Sequence, residues 1–564
     1  MKILLLLFCL QFIQIYAQQI ESENSVEKTN SCGINCEWEI QETTLIIKGN
    51  GEMENYTKID GENPTMWHQY KYAIKKIIIE EGITSIGNNA FVSFMVLTEI
   101  EFPSTLKRIG ERAFSRCNIL PKISLPESIE SIENNAFEWC LKVEEITLPE
   151  SIYSIGNNAF YGCTSIKTFT IGKNVKTIGI NAFSYCKSLS SITVSEMNEN
   201  YCSLDDVLFT KNKEELLQYP LGNTREKYDI PQSVKKIHSH AFDSCQYVNH
   251  ITIPDSITTI EESTFVSSFS LKTITFGNNI TSIGKFAFKS TGIEKLQLPN
   301  SLISIEKEAF YGCSSLQSIS IGESLETIDL SSISSCLSLT SIEVSEMNKQ
   351  FLSMNGILFN KNQSKLIKYP SGKTEESYTI PSVVSIIGEY SFEYCSLLTA
   401  VTIPSTITTI ENYAFMNNNK LSTVISLSIN EPKGEQWSFM FCESLQFISV
   451  PNSYVANSFC FQPIKKMNIC LELTNEFGSI KETCTCVSNA ESVSSEKCKC
   501  VEGYQQNENE CVSNSDNNGL EKWEIALIVI GCIILCIGII VGIGIAVFFI
   551  RKRIRESQSL FIDL

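Results

Sequence analysis

Residues 127–149 read ESIESIENNAFEWCLKVEEITLP, and the next 23, residues 150–172, read ESIYSIGNNAFYGCTSIKTFTIG. The same frame recurs along most of the chain. An Ala-Phe, Ser-Phe or Thr-Phe anchor puts phenylalanine at 91, 114, 137, 160, 183, 242, 265, 288, 310, 392, 415 and 439, mostly 23 residues apart, and Ile333 stands in for it once. A fixed period of this size signals a solenoid, in which one unit is too small to bury its own apolar face and stacks on its neighbours.

The unit has a physical reading. The segment containing Leu189, Ile192 and Val194, like that containing Leu316, Ile319 and Ile321, ends in period-two apolar spacing, which the repeat follows with Pro or Gly. That is a short strand stopped by a turn. The segment S-I-x-S-I-x-x-x-A-F returns a second apolar set to the axis. Coils stacked about 4.8 Å apart give parallel strands, with each Ile and Phe lying on its counterpart in the next coil.

The repeat P-x-S-I-x-S-I-x-x-x-A-F-x-x-C-x-x-L-x-x-I-x-L-P resembles the leucine-rich repeats of BspA-like surface proteins, over roughly residues 32–451. The start of the chain resembles that family's N-terminal cap: Trp38, TLIIKGNGEM at 44–53, Met66-Trp67 and IIIEEGITSIG at 77–87. The predicted fold is a repeat solenoid, a leucine-rich-repeat-type curved β-solenoid with parallel strands. To it are added a β-rich N-terminal cap, a small disulfide-rich stalk and a single transmembrane helix. The resemblance implies attachment to host cells, extracellular-matrix glycoproteins or other microbes.

Six segments are expected. Residues 1–17, with Lys2, a Leu/Ile/Phe run and Tyr16-Ala17, read as a secretory signal peptide. Residues 18–82 form a polar lead-in and the β cap, which would cover the apolar cross-section of the first coil. Residues 83–451 form the solenoid, with irregular insertions at 195–231 and 345–381. Residues 460–511 form a cysteine-rich stalk; Cys498-Lys-Cys-Val-Glu-Gly-Tyr and Cys511 resemble the end of an epidermal-growth-factor-like domain. Residues 525–550 are apolar throughout and, as a helix of about 39 Å, exceed a hydrocarbon core of about 30 Å. Arg551-Lys-Arg-Ile-Arg555 follows, so residues 551–564 would form a cytoplasmic tail of a single-pass plasma-membrane protein with its N-terminus outside. Gly538 and Gly542 fit a close-packing helix-dimer motif.

The two insertions lie 150 residues apart and share Ser195/Ser345, Leu208/Leu358, Phe209/Phe359, Lys211/Lys361, Tyr219/Tyr369, Pro220/Pro370 and Tyr228/Tyr378. A block of several coils was therefore duplicated whole. Each insertion reads as a hairpin-bearing irregular coil, serving as a spacer or as a protruding contact.

A formal net charge of −18, with no basic cluster before the last residues, argues against a nucleic-acid partner. Of 22 cysteines, Cys9, Cys532 and Cys536 fall in apolar targeting or membrane segments. Cys32 and Cys36 could pair locally in an oxidising compartment or bind a metal; a second cysteine pair to complete a zinc site is missing nearby, which favours the disulfide. Cys460, Cys470, Cys484, Cys486, Cys498, Cys500 and Cys511 are the candidate disulfide cysteines of the stalk. Nine repeats carry Cys three residues after the anchor: 117, 140, 163, 186, 245, 313, 336, 395 and 442. Ser268, Thr291 and Asn418 hold the same place. A place that accepts these residues reads as a small, buried, hydrogen-bonding turn position holding free thiols, rather than as a disulfide ladder.

Other candidates are few. His238-Ser-His240 offers two ring ligands, at loop positions that vary between repeats. Asn55, Asn279 and Asn362 head glycosylation sequons. The outward strand positions Thr147, Thr170, Thr193, Thr252, Thr275, Ser320 and Thr402 form the candidate binding face, flanked by Glu144, Glu145, Lys167, Lys272 and Lys295. Such a column is either a solvated face chosen for β propensity or a broad contact surface. The chain has no phosphate loop, nucleophile constellation or metal cluster, so no enzyme activity and no cofactor is expected. The expected function is a surface adhesin or antigen that binds an extracellular protein or glycoprotein ligand through the solenoid face. The alternative is a signalling or phagocytic receptor that uses the short tail.

Overall fold

The computed structural model describes residues 30–57 and 65–467, together with the backbone of four short strands between 490 and 513. These divide into two units, the first comprising the coils up to 449 and residues 455–464.

In the first unit the regular coils give two rows of short parallel strands, each row broken into several sheets. The repeat predicts this because its two Ile-bearing segments are short, β-branched and separated by turn residues. The longer strands pair in full register: Glu145–Thr147 lies on Lys122–Ser124, setting Ile146 on Ile123. The shorter ones are the S-I dipeptides. Ile86, Ile109, Ile132, Ile155 and Ile178 form one unbroken row of partners.

The loop between the sheets carries a third ladder. Phe91, Phe114, Phe137 and Phe160 each donate their N–H to the alanine carbonyl of the next coil, at 2.8–2.9 Å. To turn these groups along the stack the loop takes two left-handed residues per coil. One precedes the alanine (Asn135 at φ 57°, Asn158 at 53°, Asn181 at 59°) and the other follows the phenylalanine by two (Trp139 at 59°, Gly162 at 72°, Tyr185 at 60°). Asparagine tolerates this region better than most residues, which accounts for the recurrent Asn-Asn-Ala-Phe.

The phenylalanine rings pile into a column at the centre of the stack. Phe114, Phe137, Phe160 and Phe183 stack with centroids 5.4, 5.7 and 6.2 Å apart and planes within 6°. The column is closed at its N-terminal end by Trp67, which is buried against Trp38, Tyr56 and Phe91 and donates its indole N–H to the Ala90 carbonyl at 2.8 Å. The antiparallel strands Cys36–Gln41 and Thr44–Gly49 pair ahead of it. Thr44–Gly49 then pairs in parallel with Lys76–Ile79, starting the long-strand sheet.

Each insertion is a coil of the stack and not a protrusion. Tyr201–Leu204 and Val207–Thr210 form a hairpin, and Glu215–Gln218 returns antiparallel to it and then pairs in parallel with Lys236–Ile237 of the next coil. The second copy repeats this register with Phe351–Met354, Ile357–Asn360, Lys365–Lys368 and Ile386–Ile387. The hairpin strand is apolar on both sides because it is a partition. Leu208 packs into the core of the coils before it, and Val207 and Phe209 pack into the core of the coils after it. Tyr219 and Tyr369 take the place of the anchor phenylalanine and stack on Phe242 and Phe392 at 5.0 and 5.2 Å.

In the second unit Ala490–Ser494 pairs with Lys497–Cys500, and Tyr504–Asn507 with Glu510–Ser513, both antiparallel.

The expected single-pass plasma-membrane placement is overturned. Among the described residues no helix is long and apolar enough to cross a membrane. Helical backbone there is confined to two 3-10 turns, His68–Tyr70 and Leu330–Ile333. The physical reason is the repeat, whose backbone groups bond from coil to coil and not along the chain. The expected signal peptide at 1–17, the span at 525–550 with Gly538 and Gly542, and the tail at 551–564 lie outside the described residues.

Candidate functional site

The outward residues of the long strands were expected to form one column. The structure brings them together in five shorter runs. Thr147 lies beside Ser124. Thr170 lies beside Thr193, their hydroxyls 3.0 Å apart. Thr252 sits between Asp229 and Thr275, Ser320 between Gln297 and Glu343, and Thr402 between Thr379 and Ile425. Thr147, Thr170, Thr193, Thr275 and Ser320 are exposed; Thr252 and Thr402 are half-buried.

Two of the breaks are made by the insertions. After Thr193 the hairpin turn takes over, with Ile192 donating its N–H to the Asp206 carbonyl at 2.9 Å. The Asp206 carboxylate accepts from the Ser191 hydroxyl at 3.0 Å and pairs with Arg225 at 3.2 Å. After Glu343 the same join recurs, with Ile342 donating to the Gly356 carbonyl.

The charges beside the column are partly paired between coils, as in Lys122–Glu145 at 3.6 Å and Lys272–Glu294 at 3.9 Å. Exposed pairs of this kind contribute about 0–1 kcal/mol each. The face therefore offers hydroxyls that both donate and accept, repeated at the coil spacing.

The two histidines are held by different carboxylates. His238 Nε2 lies 2.6 Å from Glu215, and His240 Nδ1 lies 3.2 Å from Asp243. Among the described residues no group of three His, Cys, Asp or Glu could hold a metal ion.

The sequon asparagines are all exposed. The Asn55 carbonyl oxygen accepts from the Asn88 N–H at 2.9 Å, Asn279 donates to the Asp255 carbonyl at 2.9 Å, and Asn362 accepts from Ser364.

Cys32 and Cys36 form a disulfide with Cα atoms 5.0 Å apart. The nine repeat cysteines are free thiols, and burial in the apolar core pushes Cys140 and Cys186 up to about 12. Cys460 was grouped with the stalk; it is instead a buried free thiol, packed on Gly434 so closely that a Cβ there would meet its sulfur. Cys498, Cys500 and Cys511 lie on the strands of the second unit. Cys470, Cys484 and Cys486 lie outside the described residues.

Two groups escaped the sequence reading. Asn198 and Asn348, in the Ser-Glu-Met-Asn that opens each insertion, are buried anchors. Asn198 donates to the carbonyls of Gly172 and Val175 at 2.8 and 3.0 Å and accepts from the N–H groups of Asn200 and Tyr201, both at 2.8 Å. Their identity in the two copies was the available signal. On the loop edge, Trp139, Tyr161 and Tyr185 form an aromatic cluster with centroids 5.1–6.1 Å apart. Rings one and two places after the anchor phenylalanine, in successive coils, were the signal for it.

The family model of the BspA type leucine-rich repeat region (6 copies) matches residues 67–190, 115–227, 218–340 and 368–488, well over half the chain. The chain belongs to this family. A leucine-rich cell surface protein from Faecalibacterium prausnitzii is similar to this BspA-type chain at 27% identity, with a TM-score of 0.45, covering 56% of this chain and 94% of that one. A leucine-rich repeat protein from Eubacterium ventriosum is 25% identical, with a TM-score of 0.48, covering 68% and 93%. The pneumococcal vaccine antigen PcpA is 21% identical, with a TM-score of 0.46, covering 62% and 94%. A comparison with curated proteins gives no match.

Proposed function

We propose that this BspA-type chain is a surface adhesin and antigen that binds a protein or glycoprotein ligand through the outward face of its long strands. The observation that carries the reading is the Thr170–Thr193 pair: two exposed, uncharged hydroxyls in register on neighbouring strands, with hydroxyl pairs also at Ser124–Thr147, Thr252–Thr275 and Thr379–Thr402. Many weak contacts of this kind add up when the ligand and the face are both repetitive. Membership of the BspA-type family supports it. The Cys32–Cys36 disulfide supports an oxidising compartment.

The test is binding of the full chain to immobilised matrix glycoproteins and to intact host cells, beside a Thr170→Lys/Thr193→Lys variant. Saturable binding that the variant loses, at unchanged melting temperature, is the expected result. Binding undiminished by the variant would remove the strand face from the reading, and no binding at all would remove the adhesin.

A further inference from the structure

The loop ladder has a gap. In the coils before it, the residue two places after each anchor donates its N–H to the next coil: Trp139 to Tyr161, then Gly162 to Ser184. The ladder stops at Tyr185 and resumes at Ser244, which donates to Val266. The inserted coil lies between. It supplies Tyr219-Pro220-Leu221-Gly222 where a regular coil supplies its bulging Phe-x-x-Cys loop, and its Leu221 is buried. The core stays filled by Tyr219, but the loop edge is left one bulge short.

The result is an open groove of about 530 Å³ bordered by Tyr185, Lys187, Ser244, Gln246, Phe269 and Ser270. Tyr185 and Phe269 border it, and Phe269 is 71% exposed. Tyr185 is backed by Tyr161 and Trp139 at 5.1 and 6.1 Å, so the aromatic surface continues beyond the groove. Around the rings stand an amine, an amide and three serine hydroxyls, that of Ser267 beside those of Ser244 and Ser270.

The chain holds its own comparison. The duplicated block repeats the gap after Ser335, but every group named above differs. Ser335 stands for Tyr185, Leu337 for Lys187, Ser396 for Gln246 and Asn419 for Phe269. Tyr394 stands for Ser244, and its hydroxyl faces Ser335 on one side of the gap and Asn417 on the other. One copy sets a tyrosine side chain beside the gap. The other leaves it open and lines it with the exposed Phe269 ring and the half-buried Tyr185.

We propose that the open groove is a binding subsite for a pyranose sugar of a glycan. A pyranose has an apolar C–H face that packs on an aromatic ring, and a rim of hydroxyls that both donate and accept. Rings with an amine, an amide and hydroxyls around them match that pattern, and the volume lies within the range of small-ligand sites. A groove this open holds one sugar weakly, and density on a glycosylated surface multiplies the binding. The site lies on the loop edge and does not depend on the strand-face reading. A chain that bound nothing through Thr170 and Thr193 would still bind sugar here.

The test is a glycan array probed with the full chain, with free methyl β-galactoside and methyl N-acetylglucosaminide as soluble competitors. Ser244→Tyr is the central variant, because Tyr394 already occupies the equivalent place at φ 58° against 60° for Ser244. The expected result is binding of at least one glycan series, competed by a free glycoside and reduced about tenfold or more by Ser244→Tyr and by Tyr185→Ala, as expected on loss of a stacking ring. Glu323→Gln, at an exposed turn residue outside both surfaces, should leave it unchanged. Phe269→Ala, at an exposed ring, serves if Ser244→Tyr does not fold. No glycan bound, binding undiminished in the groove variants, or capture of an aromatic peptide in place of every sugar would each overturn the proposal.

Discussion

The Cys163 thiol donates to the carbonyl oxygen of Phe137, one coil behind, at 3.2 Å. Cys140, Cys186 and Cys336 do the same to Phe114, Phe160 and Phe310. Where sulfur is absent the bond is kept: Ser268 donates to Phe242 at 2.6 Å and Asn418 to Phe392 at 2.8 Å. The position selects a small buried donor, and sulfur is one way of supplying it. Cys163→Ser should therefore stay within about 1 kcal/mol of the wild type, while Cys163→Val, which leaves the Phe137 carbonyl only the Cys140 N–H, should cost about 0.5–1.5 kcal/mol through the lost hydrogen bond. Urea unfolding of both variants measures the difference.

Burial raises the thiols, and the direction fixes a pH dependence. Cys140, Cys186 and Cys395 are each pushed up to about 12 from an ordinary value of 9.0, with desolvation the largest cause. A thiol whose folded pKa lies above its unfolded one holds its proton longer in the folded chain. Its contribution is complete below about 9 and is lost as pH rises towards 12. The urea midpoint should fall on going from about pH 8 to about pH 10.5. The fall should be smaller in a Cys140→Ser/Cys186→Ser variant. An equal fall in both would remove the thiols as its cause.

At neutral pH the same burial governs modification. Cys202 is part-exposed and less shielded than the repeat cysteines, although burial raises it too. Iodoacetamide on the native chain should label Cys202 ahead of Cys117, Cys140 and Cys163, since the thiolate is the nucleophile. Peptide mapping after a short exposure reads the order directly.

Asn198 satisfies four backbone groups with one amide. Asn348 does the same for Gly322, Leu325, Gln350 and Phe351. Asn198→Ala should cost more than about 3 kcal/mol, because several buried groups lose their partners at once. Hydrogen exchange in residues 198–210 should rise well before that in distant coils, as expected where each repeat touches only its neighbours.

Trp67 closes the phenylalanine column, so Trp67→Ala should cost about 3–5 kcal/mol. The loss should fray the N-terminal coils first, which separates it from Phe137→Ala in the middle of the stack. Limited proteolysis with N-terminal sequencing distinguishes the two.

Much of this was legible in the sequence, and the reason is translation symmetry. A step of 23 puts Ile146 on Ile123 and Phe137 on Phe114 without any knowledge of the loop between them. Asn198 was not legible, because a buried amide looks like a surface one until its four partners are known. The broken column was not legible either. The insertions were visible, but not that their hairpin turns, at Asp206 and Gly356, would replace an outward strand. Cys460 was grouped with the stalk by its nearness in sequence to other cysteines, while in space it belongs with Gly434. The groove was the hardest case, since it is made by a loop that one coil lacks.

Between regular coils the loop ladder joins each anchor phenylalanine to the alanine one coil further on. A whole coil removed from the middle would leave two cut faces of identical pattern, each with the donors, acceptors and rings the other needs. Genes encoding such a stack are free to shrink or grow by unequal recombination between repeats, and an in-frame product that joins two regular coils still closes its bonds. The block that carries the second insertion, 150 residues after the first, is what such an event would leave. A chain built this way can alter its length and the order of its surface patches without having to find a new fold.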